Sequence, residues 1–455
     1  MSNDFLSLDL PALLTAVFAS MTCALLGSFL VLRRQSLLGD AISHAVLPGI
    51  VASFLLFGTR TGSAMFLGAV ASGTLAAVLM TLVERYGRVE TGAAMGVIFS
   101  IFFASGIVLM EQAAARSVDL DADCVLYGQL EHVFWLPPAD LSSLSLSQIY
   151  SLIPNELILS AVVMVVSFIV VCLFWKELRL ASFDREFADS IGYSSAAIHL
   201  LLVVLVACAV VASFQVAGSI LVIALLICPA ATARLLTDRL GTHAALSVLV
   251  GALSAICGYF GGAWSPSIFG TERALSAAGM IAVASGMFLT LGVLFGPRYG
   301  LIARGVQQLQ LTYRIAVEDL LGFLYRLEER ANASHGRVAS RGTLRQALGG
   351  WRMIVAERLA LRDRLVTETN GGFSLTEHGR ERAKKLVRTH RLWELFLVER
   401  MGLRPDHVHE RAELLEHFTS KNLEQALLRE QPVGTVDPHG APIPSLVGTI
   451  DGEKT

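Results

Sequence analysis

Apolar positions over the first two thirds of the chain form long unbroken runs, and over the last third they recur with helical spacing among charges. About nine runs, placed at 10–32, 40–58, 62–83, 91–111, 157–175, 195–213, 217–236, 243–261 and 274–296, reach the roughly 17–25 residues that carry a helix across a bilayer. The runs end near Pro297. From Arg304 onward nearly every turn carries Arg, Glu or His, and apolar residues fall three or four apart, as in helices that bury one face. The pattern predicts a mostly α-helical protein, with a polytopic helical membrane domain followed by a soluble helical domain.

Composition sharpens this picture. With 54% hydrophobic side chains in 455 residues and a mean hydropathy of +0.59, the chain is too apolar for an ordinary soluble enzyme. The net charge of −2 averages two unlike halves and says little. Six cysteines without a CxxC pair indicate neither a disulfide framework nor a zinc ribbon. The run from Leu10 to Leu32 is too long for a signal-peptide core and is followed by Arg33 and Arg34, so it reads as a retained span. Arg33, Arg34, Arg85, Arg88, Lys176, Arg179, Arg185, Arg234, Arg239, Arg298 and Arg304 fall in alternate connections, whereas Arg60, Arg116 and Arg273 fall in the others. By the positive-inside rule the protein is a multi-pass cell (inner) membrane protein with an extracytoplasmic N-terminus and a cytoplasmic C-terminal domain. The acidic connection from Glu111 to Asn155 is then extracytoplasmic.

Chemistry enters with "RRQSLLGDAISHAVLPGI". Asp40 and His44 stand one turn apart, on one face of a span, and ionisable groups inside a span usually mark an ion path. A carboxylate and an imidazole suit divalent Mn, Zn or Fe, although two ligands do not complete a shell. The alternative is Asp40 as a helix N-cap with His44 hydrogen-bonded in a packed interior. Pro48, Gly39 and Gly49 loosen this helix, as in discontinuous spans that line a pathway or in a simple kink.

"LLGDAISHAVLPGI", "TGAAMGVIFSIFFASGIVLM" and "GSILVIALLICPAATARLL" resemble, in order, the membrane subunits of ABC importers for manganese, zinc and iron. The resemblance runs from residue 10 to about 300. It implies that Asp40 and His44 coordinate the transported metal, that a second permease copy or a related permease forms the pathway, and that an ABC ATPase and an extracytoplasmic metal-binding protein are partners. Between the fifth and sixth spans, "KELRLASFDREFADSIGY" places Phe183, Phe187 and Ile191 at helical spacing among Asp184, Glu186 and other charges, a short amphipathic helix. The resemblance makes it the segment that couples to the ATPase; the alternative is a helix lying on lipid headgroups. No GxxxxGK[ST] phosphate loop occurs, so the chain has no nucleotide site of this type and is expected to be a transport subunit rather than an enzyme.

The C-terminal part begins with an amphipathic stretch from Thr312 to Glu329, and then reads as helix, turn, helix, hairpin and helix, which suggests a winged helix-turn-helix. Further on, His390 and Glu394 stand at i and i+4, and His409, Glu413, Glu416 and His417 share one helix face. Such a His and Glu stripe suits a carboxylate-rich metal site; a solvated face with incidental histidines is the alternative. The region from about 312 to Ser445 resembles metal-dependent repressors of the diphtheria-toxin-repressor type. That resemblance implies a primary metal site at Asp319, Glu413, Glu416 and His417, and an ancillary one at His390, Glu394 and His409. Two departures stand out: Gly322 occupies the position of a second acidic ligand of the manganese-responsive branch, and the DNA-reading helix begins Gly349, Gly350, Trp351. Arg341, Arg345, Arg352, Arg358, Arg362 and Arg364 keep the region basic enough for phosphate contact.

The expected domains are a permease domain at 1–300, a linker at 301–311, a winged-helix-like domain at 312–372, a metal-binding and dimerisation domain at 373–445 and a disordered tail at 446–455. The expected function is the transmembrane subunit of an ATP-driven importer of divalent transition metals, with the same metals as regulatory ligands of a fused sensor. A membrane-tethered metal-dependent transcriptional regulator is the alternative.

Overall fold

A computed structural model describes residues 5–57, 62–114, 130–135, 153–266, 270, 275–330, 339–369, 372–430 and 436–444. The chain divides into two compact units, Met1–Arg304 and Gly305–Thr455. The expected tail lies outside the described residues, as does most of the acidic connection after Glu111.

The first unit is helical because a bilayer leaves unpaired backbone groups no water to bind, so each span must satisfy its own. Its helices are α1 (Leu10–Leu32), α2 (Leu38–Ala45), α3 (Leu47–Phe57), α4 (Gly62–Gly87), α5 (Thr91–Ala114), α6 (Asn155–Leu173), α7 (Trp175–Phe183), α8 (Arg185–Ser190), α9 (Ser195–Leu236), α10 (Leu240–Ala263) and α11 (Ala277–Phe295). Eight stretches among the described residues are long and apolar enough to span, and Leu221–Leu236 is a shorter apolar helix. That shorter piece is the expected run at 217–236. Gly218 inside α9 has φ 74° and ψ 168°, a conformation open to glycine, so part of the apolar run forms a bend rather than helix.

Helix α1 lies at the centre. Its Cys23, Leu26, Phe29 and Leu30 join Leu202, Val206, Leu225 and Ile281 in one buried core. A Cβ on Gly27 would collide with the Leu226 carbonyl oxygen, so only glycine permits this approach of α1 to the second half of α9. The outer helices instead expose large apolar side chains, Leu67, Ile101, Phe168 and Val283 among them. Apolar exposure on this scale is what lipid tails cover.

Helix α12 (Leu301–Arg330) starts in the last residues of the first unit, belongs to the second from Gly305 onward, and is longer than the expected stretch from Thr312. Then come β1 (Ala339–Ser340), α13 (Arg341–Leu348), α14 (Gly350–Arg362), β2 (Val366–Thr369) and β3 (Gly372–Leu375). The sheet is antiparallel in the order β1-β3-β2, with Val366 opposite Leu375 and Ala339 opposite Phe373. Leu320, Leu321, Leu324, Leu344, Met353, Ala360 and Phe373 form its core. Arg341, one of the basic residues expected to face phosphates, pairs with Glu357 at 2.7 Å and Glu368 at 3.1 Å and lies over the Phe373 ring. Helices α15 (Glu377–Glu399), α16 (His409–Glu416) and α17 (Lys421–Glu430) complete the unit. Thr376 caps α15 by accepting a hydrogen bond from Gly379 N–H at 3.0 Å.

Candidate metal sites and coupling segment

The span carrying Asp40 and His44, Leu38–Phe57, is kinked at one point, where Val46 keeps helical φ −71° and ψ −31°. Pro48 has no N–H to continue the ladder, α2 ends at Ala45 and α3 begins at Leu47. The Ala45 carbonyl freed at the kink accepts a hydrogen bond from Ser72 Oγ of α4 at 2.7 Å, which is how a polar backbone group is tolerated in a span. Helix α2 starts at Leu38, so Asp40 lies within its first turn and is not its N-cap. Asp40 Oδ1 stands 3.4 Å from His44 Nε2, with the two side chains 42% and 24% exposed. The His44 ring meets the Phe99 and Phe103 rings edge-on at 5.1 and 5.8 Å, so α5 fixes its plane while Nε2 faces Asp40. The pair thus presents one oxygen and one nitrogen, both partly exposed.

The segment expected to be one amphipathic helix is two. Asp184, extended at φ −146° and ψ 101°, separates α7 from α8, and its carboxylate accepts from Phe187 N–H at 2.9 Å. A side-chain cap competes with helix continuation and here ends it. Phe183, Phe187 and Ile191 are all exposed, as is Glu186, so the described residues leave more than half of each of these apolar side chains uncovered. The other face is anchored. Arg33, just past the end of α1, donates from Nε to Ser182 Oγ of α7 at 3.0 Å and from Nη1 to His199 Nδ1 of α9 at 3.3 Å.

In the second unit two groups of possible ligands come together, Asp319 with Glu416 and His417, and His390 with Glu394 and His409. They follow the expected primary and ancillary sets with one difference: Glu413 joins neither. Helix α16 turns Ala412 and Glu416 inward, and Glu413, about 100° beyond Ala412 around the axis, is left on the exposed side. His417 caps the helix rather than extending its stripe. His417 Nε2 lies 3.1 Å from Asp319 Oδ1 and 3.8 Å from Glu416 Oε1. Around Glu394, His390 Nε2 stands at 3.1 Å and His409 Nδ1 at 2.8 Å.

Glu416 joins the groups, because its Oε2 reaches within 2.6 Å of His390 Nδ1. The contact is not aligned as a hydrogen bond, and both buried atoms are left without one. Buried carboxylates and imidazoles left so are costly unless a cation or proton compensates. The donor sets, two oxygens with a nitrogen and two nitrogens with an oxygen, fit a divalent transition metal. Sequence reasoning missed Glu318, whose Oε2 lies 2.8 Å from His417 Nδ1; the one available signal was Arg314 four residues earlier on α12, which pairs with it at 3.0 Å.

Without a metal the His417 imidazole holds on to its proton and the Glu394 carboxyl gives its own up readily. Burial pulls the His417 imidazole down, but hydrogen bonds to Asp319 and Glu318 outweigh it and raise the group to about 9. Burial pushes Glu394 up, yet His390 and His409 hold it down at about 2. The His417 contribution to stability is therefore full below its unfolded value near 6.5 and is lost as pH rises through about 9; the Glu394 contribution is present above about 4.5 and lost as pH falls towards about 2. Chelator-treated protein should melt at its highest temperature between these limits. Metal binding must release the His417 proton, so affinity should rise by about tenfold per pH unit between about pH 7 and 9. Titration of the metal-free protein against a fluorescent chelator at several pH values checks this, and a flat profile would show that His417 does not carry that proton.

Comparison with known proteins follows the same division. Residues 6–296 match the ABC 3 transport family, and residues 376–445 match the iron dependent repressor, metal binding and dimerisation domain. A manganese transport system membrane protein of Bacillus subtilis (strain 168) is 37% identical over 297 residues, 65% of this chain and 95% of that one. A zinc transport system membrane protein of Treponema pallidum (strain Nichols) is 35% identical over 292 residues, 64% of this chain and 89% of that one. The solved structure of PsaBC from Streptococcus pneumoniae in complex with Fab superposes with a TM-score of 0.52 at 28% identity, covering 66% of this chain and 96% of that one. With the match running from the first span through the last, this multi-pass membrane chain belongs to the ABC 3 transport family.

Proposed function

We propose that the protein is the transmembrane subunit of an ATP-driven importer that carries divalent transition-metal ions, manganese, zinc or iron, into the cytoplasm, with a fused domain that senses the same metals. The observation that carries this reading is the Asp40–His44 pair, ligand atoms 3.4 Å apart inside an apolar span that kinks beside them. Ionisable groups within a span mark an ion path. Both side chains are partly open in a single chain, which supports a site completed by a second permease copy or a related permease. The metal would arrive from an extracytoplasmic binding protein and leave on the cytoplasmic side, where the basic connections and the C-terminal domain lie. An oxygen and nitrogen pair does not select among these metals by affinity alone, so delivery sets which one is carried.

ATP is hydrolysed by a separate subunit, which receives the exposed Phe183, Phe187 and Ile191 of α7, α8 and the turn after them. Because Arg33 ties α7 to α1 and α9, a push on this segment reaches the spans. In the second unit Asp319, Glu416 and His417 would hold one ion and His390, Glu394 and His409 another; such an ion supplies the positive charge that the buried carboxylates call for. The engagement of Arg341 with Glu357 and Glu368 removes one candidate phosphate contact and favours sensing for transport over gene regulation at DNA.

Vesicles containing the protein with its ATPase and binding protein should accumulate radioactive manganese or zinc only when ATP is supplied. Phe187→Ala should lower uptake and substrate-stimulated ATP hydrolysis together, each by about thirtyfold, since a centrally buried aromatic anchor at an interface is worth about 2 kcal/mol. Full stimulation of hydrolysis and full uptake in this variant would place the segment on lipid instead; absence of ATP-dependent metal uptake in the parent would overturn the function.

A further inference from the structure

Glu318 and Asp319 are adjacent acids on α12, and they take opposite sides of one imidazole. Asp319 meets His417 Nε2 at 3.1 Å, on the side where Glu416 also lies. Glu318 meets Nδ1 at 2.8 Å, with the Glu318 and His417 side chains 7% and 4% exposed. The two ring nitrogens point away from each other, so a carboxylate on Nδ1 does not share an ion held at Nε2 unless the ring turns over. The other oxygen of Glu318 is already occupied: Oε1 accepts from Arg314 Nε at 3.0 Å and from Arg382 Nη2 of α15 at 3.4 Å.

We propose that Glu318 is a positioning residue for the Asp319–Glu416–His417 metal site, accepting the Nδ1 proton of His417 and so fixing Nε2 as the ligand nitrogen, while Arg314 and Arg382 hold Glu318 in place. The proposal rests on the reading of that cluster as a metal site. A neutral imidazole carries one proton, and a carboxylate with two guanidinium partners has none to give, so the proton between Glu318 and His417 belongs to the ring. The tautomer follows. A carboxylate behind a ligand histidine also makes the imidazole a better donor, and its loss typically lowers metal affinity by about 10–100-fold. Glu318 thus supplies a second acid from the first helix of the unit, where position 322 is glycine, but it acts through His417 rather than on the ion. It further joins α12 and α15 to the end of α16, beside a polar pocket of about 270 Å³ lined by Arg314, Glu318, Arg382, Lys385 and Glu416.

The test uses full-length protein in nanodiscs, with His409→Ala to silence the neighbouring cluster, titrated with cobalt(II), whose visible bands report the donor set. Glu318→Gln is expected to keep the band positions of its parent, because the ligands are unchanged, and to weaken cobalt binding by about 10–100-fold. Arg382→Gln, which alters a half-exposed side chain, should weaken it by about threefold, and it provides the measurement if Glu318→Gln does not fold. Metal-free melting temperatures separate this role from a merely structural one, which would lower the melting temperature and leave the affinity intact. Affinity in Glu318→Gln within about threefold of the parent overturns the proposal. So does a shifted spectrum, which would make Glu318 a direct ligand. A parent that binds no cobalt at this cluster overturns the metal-site reading itself, and the proposal with it.

Discussion

Asp40→Ala and His44→Ala are each expected to reduce metal uptake by about 100-fold or more while leaving insertion and subunit assembly unchanged. The size follows from ligand count. Losing a group that only supports a ligand costs about 10–100-fold in metal affinity, and losing one of few ligands costs at least the upper end of that range. The selectivity of the effect follows from burial. Asp40 and His44 are the open side chains of α2, whereas Ala41, Ile42 and Ala45 are the ones it packs into the core. His44→Ala removes edge contacts with Phe99 and Phe103, worth about 1 kcal/mol, too little to unfold a unit of this size. The measurement is uptake of radioactive manganese or zinc in cells lacking other importers, with membrane abundance followed in parallel. Wild-type uptake in both variants sinks the pathway site; lost uptake with lost abundance would make the residues structural.

The spans were legible in the sequence because the bilayer imposes length and apolarity without exception. The bend at Gly218 was legible only in part: a gap at 214–216 separates the expected runs 195–213 and 217–236, but hydropathy does not say that a single residue of positive φ joins them. The break at Asp184 carried a readable signal, an Asp three residues before a backbone N–H it could cap, but amphipathic spacing on both sides disguised it. Two helices with the same periodicity look like one.

The residues of the two C-terminal clusters show a similar division. His390, Glu394, Glu416 and His417 could be read from spacing, since i, i+1 and i+4 relations survive folding. Asp319 rested on resemblance alone, because nothing in a linear pattern says which acid of a distant helix faces His417. Glu413 was included because helical period sets the angle between residues but not which side of the helix is buried. For Glu318 the confusion ran the other way: an acid four residues after Arg314 looks like an ordinary surface pair, and only tertiary contact with His417 distinguishes it.

The strongest expected effect in the C-terminal unit is on feedback. We expect the combined change Glu416→Gln with His417→Ala to leave the initial rate of metal uptake intact and to abolish the slowing that follows once internal metal rises. Among the described residues Glu416 is the acid that reaches both clusters, through His417 Nε2 and His390 Nδ1, so its loss weakens both. Removing His417 deletes the single nitrogen of its group. Together they should lower metal affinity there by more than about 100-fold, beyond the reach of a cytosolic metal pool. The expected mechanism is that Asp319 on α12 and the end of α16, drawn together on one ion, restrict the motions the transport cycle needs. Glu416→Gln alone, nearly isosteric, guards against misfolding and should delay the slowing to higher internal metal. Vesicles loaded with increasing manganese or zinc, with uptake followed over time, decide the matter. Persistent slowing in a variant shown to have lost binding would leave the domain as a passive metal buffer, and loss of the initial rate would mean that the domain supports transport itself rather than restraining it.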